Sequence, residues 1–268
     1  MERNREDVIV DVNKTMLSGE AMALQFNKNL LNNSGALDYV LSRGIKMHQI
    51  ESGAVGFCPP YSSHWFPLLK GRITVPIRDV HGRVIAFAGR QYEGMQSLTE
   101  NALWEKYGDK PAKAEERIKK WQKSKWINET YPKNRHLYGL YEARNFVREM
   151  GYIVLVEGYF DVLVQSSRHL PNTAALCGVA LSEYHCALIS RYTQNVVLIL
   201  DGDDAGHKAL GKMMPKIEEA DLQPYIVKLP NGYDPDNFVI KYGGKNLKRI
   251  CDKLIAEQQK EIQINVRD

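Results

Sequence analysis

Ile153-Val154-Leu155-Val156-Glu157-Gly158-Tyr159-Phe160-Asp161 decides how the second half of this 268-residue chain is built. A short apolar run closed by an acid and a glycine suits a strand buried on both faces. Similar runs at Thr173–Leu176, Val196–Leu200 and Tyr225–Leu229 are separated by stretches long enough for helices. That rhythm predicts a parallel sheet with right-handed helical crossovers. The carboxyl ends of its strands then share one edge, where open α/β sheets bind ligands. Acids follow three of the runs: Glu157, then Asp201-Gly202-Asp203-Asp204, then Asp234-Pro235-Asp236. Far apart in sequence, they are expected to converge in space.

Carboxylates gathered without partners repel each other, so such a group calls for cations. Hard oxygen ligands that leave room for water and phosphate suit Mg²⁺, and paired ions of this kind serve phosphoryl transfer. Asp201-x-Asp203-x-x-Gly206 is also compared with a calcium-binding loop. That loop needs an oxygen ligand at 205 and an acid at 212, where this chain has Ala205 and Lys212. The calcium loop is excluded.

The first half reads differently. Residues 1–50 carry helical apolar spacing, broken by the turn Asn32-Asn33-Ser34-Gly35 and ended at Gly44. From Gly71 to Arg90 the alternation becomes β-like, predicting a hairpin about Asp79-Val80-His81-Gly82, with Pro76 at an edge or a bulge. Residues 91–124 lack β signals, and Lys110–Lys123 is expected to form an exposed helix after Pro111. Between Lys106 and Lys125 stand eight Lys/Arg and three Asp/Glu. That density fits a solvated face or a nucleic-acid contact. The change of pattern places a boundary near 145–151.

Charge is divided the same way. Residues 1–150 hold 23 Lys/Arg against 17 Asp/Glu, whereas residues 151–268 hold 13 against 15. A basic half joined to an acidic half suits a protein that grips a polyanion in one part and metal ions in the other. No apolar run is long enough to span a membrane, and the charged start MERNREDVIVDVNK is no signal peptide. A cytoplasmic protein without a membrane partner is expected. Cys58, Cys177, Cys186 and Cys251 form no C-x-x-C pair; Cys177, His185 and Cys186 lie close together but lack a fourth ligand. No zinc is expected.

Leu155-Val156-Glu157-Gly158 together with Leu200-Asp201-Gly202-Asp203-Asp204-Ala205-Gly206 resembles the Toprim domain of primases, topoisomerases and some nucleases. Further segments narrow the likeness to the bacterial (DnaG-like) DNA primases. Leu137-Tyr138-Gly139-Leu140 is similar to their LYGL segment, and Arg72–Asp79 with Gly82–Arg90 to their hairpin. Ala36–Ile45 resembles the helix ending in "RG", Lys125-Trp126-Ile127-Asn128 the basic-aromatic-x-Asn strand, and Asp234-Pro235-Asp236 the late acidic motif. The resemblance runs from about residue 20 to about 245.

This likeness implies an α/β chain: a mixed α+β core subdomain over 21–150, after an N-terminal segment 1–20, then a Toprim subdomain over 151–245. A helical segment, 246–268, would close the chain. The Toprim part would hold a central parallel sheet with flanking helices. The implied activity is template-directed synthesis of RNA primers on single-stranded DNA from NTPs, with Mg²⁺ or Mn²⁺. Glu157, Asp201 and Asp203 would be the principal carboxylates, and Asp161, Asp234 and Asp236 supporting acids. Arg72, Arg90, Lys125, Asn128 and Lys133 would bind template or nucleotide. Template would cross a basic groove between the subdomains, and a replicative helicase or another replication protein would be a partner. A bacterial setting, phage or plasmid origin included, is implied.

The chain departs from the family in two places. Glu129-Thr130-Tyr131-Pro132 replaces a Ser-Pro-Glu-Thr-like stretch, and residues 91–124 read as an insertion. No zinc module is expected at the N-terminus, and no helicase-binding domain after residue 250. Two other readings stay open: a Toprim-type nuclease, and a catalytically idle protein for single-strand binding or partner recruitment.

Overall fold

A computed structural model describes residues 19–62, 67–199, 204–230 and 232–265. The chain forms two compact units, Met1–Tyr131 and Pro132–Asp268.

The first unit opens with helices α1 (residues 19–31), α2 (Ser34–Ser42) and α3 (Met47–Glu51). Asn33 caps α2, its side chain accepting from the Ala36 amide at 2.9 Å. Four strands follow: β1 (Gly56–Cys58), β2 (Arg72–Arg78), β3 (Val84–Gln91) and β4 (Trp126–Asn128), an antiparallel sheet in the order β1-β2-β3-β4. The expected hairpin is β2–β3. Pro76 lies past Thr74, the last residue of β2 that β1 reaches, and just before a register shift at Ile77/Arg78. A residue without an amide proton is tolerated there. Strand β1 has no alternation of its own and was not legible in the sequence.

Between β3 and β4 the chain makes helices α4 (Gln96–Tyr107) and α5 (Pro111–Lys123). The lysines expected on the outside, Lys110, Lys113, Lys119, Lys120 and Lys123, are exposed. Yet this segment is more than a surface helix. Leu103 and Trp121 lie in the unit's core with Phe26, Cys58, Leu69, Phe87 and Ile127. Trp121 is fully buried and its Nε1–H donates to the Lys70 carbonyl at 2.9 Å.

The second unit begins with the residues leading into α6 (Leu140–Met150), so the units part at 131/132 rather than near 145–151. The reason is pairing. Tyr138 bridges Ala175 antiparallel, and α6 packs on the strands that follow. Gly139, at the N-cap of α6, has φ +81, and a Cβ there would stand 2.7 Å from Val162 and 3.3 Å from the Thr173 carbonyl. Only glycine fits that approach.

The remaining elements alternate as expected: β5 (Tyr152–Val156), α7 (Tyr159–Ser166), β6 (Thr173–Ala175), α8 (Glu183–Ile189), β7 (Asn195–Ile199), α9 (Asp204–Glu219), β8 (Gln223–Val227), α10 (Pro235–Tyr242) and α11 (Gly244–Asn265). All four strands run parallel, in the order β6-β5-β7-β8. Ile153 to Val156 and Val196 to Ile199 are fully buried, which explains why these strands read as unbroken apolar runs.

Candidate functional site

The sheet order locates the site before any side chain is considered. From β5 the chain crosses through α7 to β6 on one side, and from β7 through α9 to β8 on the other. The topological switch point therefore lies between the carboxyl ends of β5 and β7, where helices leave in opposite directions and a crevice opens. Glu157 is the first residue after β5 and is half-buried. Asp201 and Asp203, which follow β7 in sequence, lie outside the described residues.

Asp161 shapes the turn that presents Glu157. It stands in the first turn of α7, and its Oδ2 accepts from the Gly158 amide at 2.9 Å. A Cβ on residue 158 would meet that same oxygen at 2.7 Å, so glycine lets the carboxylate close over the backbone. The turn is fixed from the other side by the Cys177 amide, which donates to the Glu157 carbonyl at 2.9 Å.

Cys177 ends the β6 side of the edge with φ +54, a left-handed conformation that costs a non-glycine residue about 1–2 kcal/mol. That backbone aims its carbonyl at Lys133, whose Nζ donates to it at 3.4 Å. The thiol itself is buried. Burial pushes its pKa well above the ordinary thiol value, against a Tyr159 hydrogen bond and Lys133, which lower it, while Asp161 raises it. Lys133 and Asp161 are thus both within electrostatic reach of Cys177. An acidic group and a basic group expected from sequence meet at one edge.

Lys133 is held by its backbone too. His185 is fully buried; its Nδ1 accepts from the Ser182 amide at 3.2 Å, so Nε2 carries the proton and donates to the Lys133 carbonyl at 2.9 Å. Both ring nitrogens are used, and burial holds the pKa below the usual 6.5. Because the folded pKa is depressed, this contribution to stability is present above about pH 6.5 and is lost as pH falls below it. Urea unfolding of wild type against His185→Gln, between pH 7 and 5, is expected to show a slope smaller by up to about 1.4 kcal/mol per pH unit in the variant. Equal slopes would place the titration elsewhere.

The late acids have other surroundings. Asp234 caps α10, its Oδ1 accepting from the Asn237 amide at 2.9 Å. Asp236 is 3 % exposed and interacts electrostatically with Arg168. α10 packs against α7, the helix that carries Asp161.

Arg72, Arg90, Lys125 and Asn128 belong to the first unit. Arg90 stands opposite Trp126 across β3–β4, and Asn128, two residues on, shares their face of the sheet. The Arg90 guanidinium lies 5.5 Å from the Trp126 ring, and its Nε donates to the Tyr39 hydroxyl at 2.6 Å. Sequence reasoning missed Tyr39, since nothing local ties it to residues 51 positions later. Lys125 is exposed. Arg72 is a correction. It is fully buried, donating from Nη2 to Trp121 O at 2.6 Å and from Nη1 to Ser124 O at 2.8 Å, with Gly89 O and Lys125 O each at 3.4 Å. A guanidinium spent on backbone carbonyls inside the core does not face a polyanion.

Comparison with known proteins joins these observations. Residues 154–239 match the Toprim-like family. A DNA primase of Aquifex aeolicus (strain VF5) is 31% identical over 257 residues, which cover 85% of this chain and 46% of that protein. Over most of its length the chain is similar to DnaG-type DNA primases. The crystal structure of the zinc-binding and RNA polymerase domains of the Aquifex aeolicus primase superposes with a TM-score of 0.73 at 30% identity, covering 90% of this chain and 60% of that one. A DnaG primase catalytic domain solved with single-stranded DNA shares the fold at a TM-score of 0.69 and 24% identity, over 90% of this chain and 79% of that one. The chain spans about half the length of the Aquifex primase it matches. Among the described residues no helix is long and apolar enough to cross a membrane.

Proposed function

We propose that this chain is a primase catalytic core, making short RNA primers on single-stranded DNA by nucleotidyl transfer. The observation that carries the reading is Glu157 closing β5 at the switch point, with Lys133 and Asp161 flanking the same turn. The half-exposed Glu157 carboxylate offers a hard oxygen donor, while the neighbouring thiol of Cys177 is buried and held protonated. That donor chemistry fits Mg²⁺ or Mn²⁺. Glu157, Asp201 and Asp203 would hold such ions, with Asp234 and Asp236 in support; when bound, they supply Lewis-acid neutralisation of phosphoryl charge.

The chain's own groups supply the rest. A primer 3′-hydroxyl attacks the α-phosphorus of an incoming NTP and pyrophosphate leaves. Lys133, fixed by its amine on Cys177 and by its carbonyl on His185, places a positive charge beside the triphosphate. Arg90, steadied by Tyr39 and Trp126, acts with Lys125 and Asn128 on the nucleic acid. In this reading Pro132–Asp268 is the catalytic unit and Met1–Tyr131 the part that holds template. The four cysteines, all unpaired and buried, fit a reducing cytoplasm. A replicative helicase or another replication protein is the expected macromolecular partner.

Labelled NTPs on single-stranded templates, with and without Mg²⁺ or Mn²⁺, test the reading. Metal-dependent short RNA products are expected; cleavage of DNA without synthesis would turn it to a nuclease. The exposed lysines of α5 bear on template affinity. Replacing Lys113, Lys119, Lys120 and Lys123 with Gln is expected to weaken binding and to flatten its salt dependence by about 0.7 log units per lost phosphate contact. Fluorescence anisotropy across a salt series reads both. Unchanged affinity and slope would leave α4–α5 a purely structural brace.

A further inference from the structure

Helix α8 begins on the carboxyl side of the parallel sheet, because the chain leaves β6 there and reaches α8 without crossing back. Its first turn carries Glu183 and Tyr184. Tyr184 is 53% exposed, unusual for so large a ring in a unit whose other tyrosines at this edge, Tyr138 and Tyr159, are buried against each other. It is also not loose. The Arg135 guanidinium lies 4.6 Å from the ring centroid, and its Nη2 donates to the Tyr184 hydroxyl at 3.4 Å.

The pair is clamped from below. The Ser182 hydroxyl donates to the Asn134 carbonyl at 2.6 Å, His185 Nε2 to the Lys133 carbonyl at 2.9 Å, and Lys216 Nζ to the Leu181 carbonyl at 2.7 Å. The turn Lys133–Arg135 and the start of α8 therefore move as one piece. An exposed ring with a guanidinium over it, on a turn whose sequence also carries Lys133 and His136, combines a π-surface with positive charge. Single-stranded nucleic acid is gripped by that combination. A protein partner would find one large exposed ring here, since Leu181 and Leu188 beside it are buried.

We propose that Tyr184, backed by Arg135, is a stacking platform for a nucleobase at the catalytic edge; this rests on the nucleic-acid reading above. The base comes either from the template strand or from an incoming nucleotide, and the two are separable by experiment. With the full chain and a dT oligonucleotide, Tyr184→Ala is expected to lower affinity by about five- to a hundredfold, the equivalent of about 1–3 kcal/mol for one stacked base. Tyr184→Trp is expected to retain it and Tyr184→Leu to lose it. A single abasic nucleotide moved along the oligonucleotide should weaken wild-type binding at one position and leave Tyr184→Ala unaffected there. If the platform takes the incoming base instead, the abasic profile stays flat and the KM for NTPs rises in Tyr184→Ala. Wild-type values of both in a folded Tyr184→Ala, or full binding by Tyr184→Leu, would overturn the proposal. Absence of RNA products from the wild-type chain would sink the primase reading, while the binding result would still stand or fall separately.

Discussion

Glu157→Gln is expected to lower primer synthesis by at least about a hundredfold, the scale of removing one preorganised contact to transition-state charge, while leaving single-strand affinity close to wild type. The substitution keeps volume and removes charge. The turn should survive it, because what holds the turn is backbone and a different carboxylate: Cys177 N–H to Glu157 O, and Gly158 N–H to Asp161 Oδ2. DNA affinity should survive too, since the proposed phosphate contacts are cations elsewhere, Lys125 and the exposed lysines of α5. Dinucleotide formation measured beside fluorescence anisotropy separates the two. Synthesis near wild type in Glu157→Gln would remove this carboxylate from the chemistry. Asp161→Asn should be milder in synthesis and should show its cost in thermal stability as well, because its oxygen works as a cap on the turn.

The part of this architecture that could be read in the sequence is the part dictated by a single period. The β5 and β7 runs are buried on both faces, so solvent imposes no alternation and the apolar residues stand in a row. Acids placed directly after such runs must fall on the carboxyl edge, and Glu157 does. The hairpin β2–β3 was legible for a related reason, alternation on either side of a turn. What escaped detection depends on contacts between distant residues. The three-residue strand β1 is too short to show a period, and β4, equally short, was reached only through its resemblance to a family segment. Tyr39 and Arg90, or Arg135 and Tyr184, are brought together only when the sheets close. The 132–150 stretch packs with the second unit through the Tyr138–Ala175 bridge, the contacts of α6 with β5 and β6, and the bonds from α8 to Lys133 and Asn134. None of these leaves a repeating mark on the sequence.

Arg72 shows how the same residue type misleads when only its sequence neighbours are visible, and Arg72→Ala is expected to destabilise the first unit by about 3–5 kcal/mol. In a β-hairpin an arginine is ordinarily a surface group, and within a basic half it reads as a phosphate contact. Here the side chain passes into the core, stacks 5.1 Å from the Trp121 ring and ties the end of α5 to the edge of β3 through four carbonyls. Desolvation is heavy enough to pull its pKa down to about 10. Truncation therefore does more than leave a hole; it strands the buried Trp121 carbonyl and takes the donor from the part-buried Ser124 carbonyl. Lysine is no substitute, because a single ammonium cannot span the fork of acceptors, so Arg72→Lys should fall well short of restoring stability. Chemical denaturation of both variants measures this, alongside a salt titration of DNA binding under conditions where each is still folded. A phosphate-binding arginine would give the opposite pattern: normal stability, weaker binding and a flatter salt slope. Recovery of wild-type stability in Arg72→Ala, with that change in slope, would return Arg72 to the nucleic-acid interface.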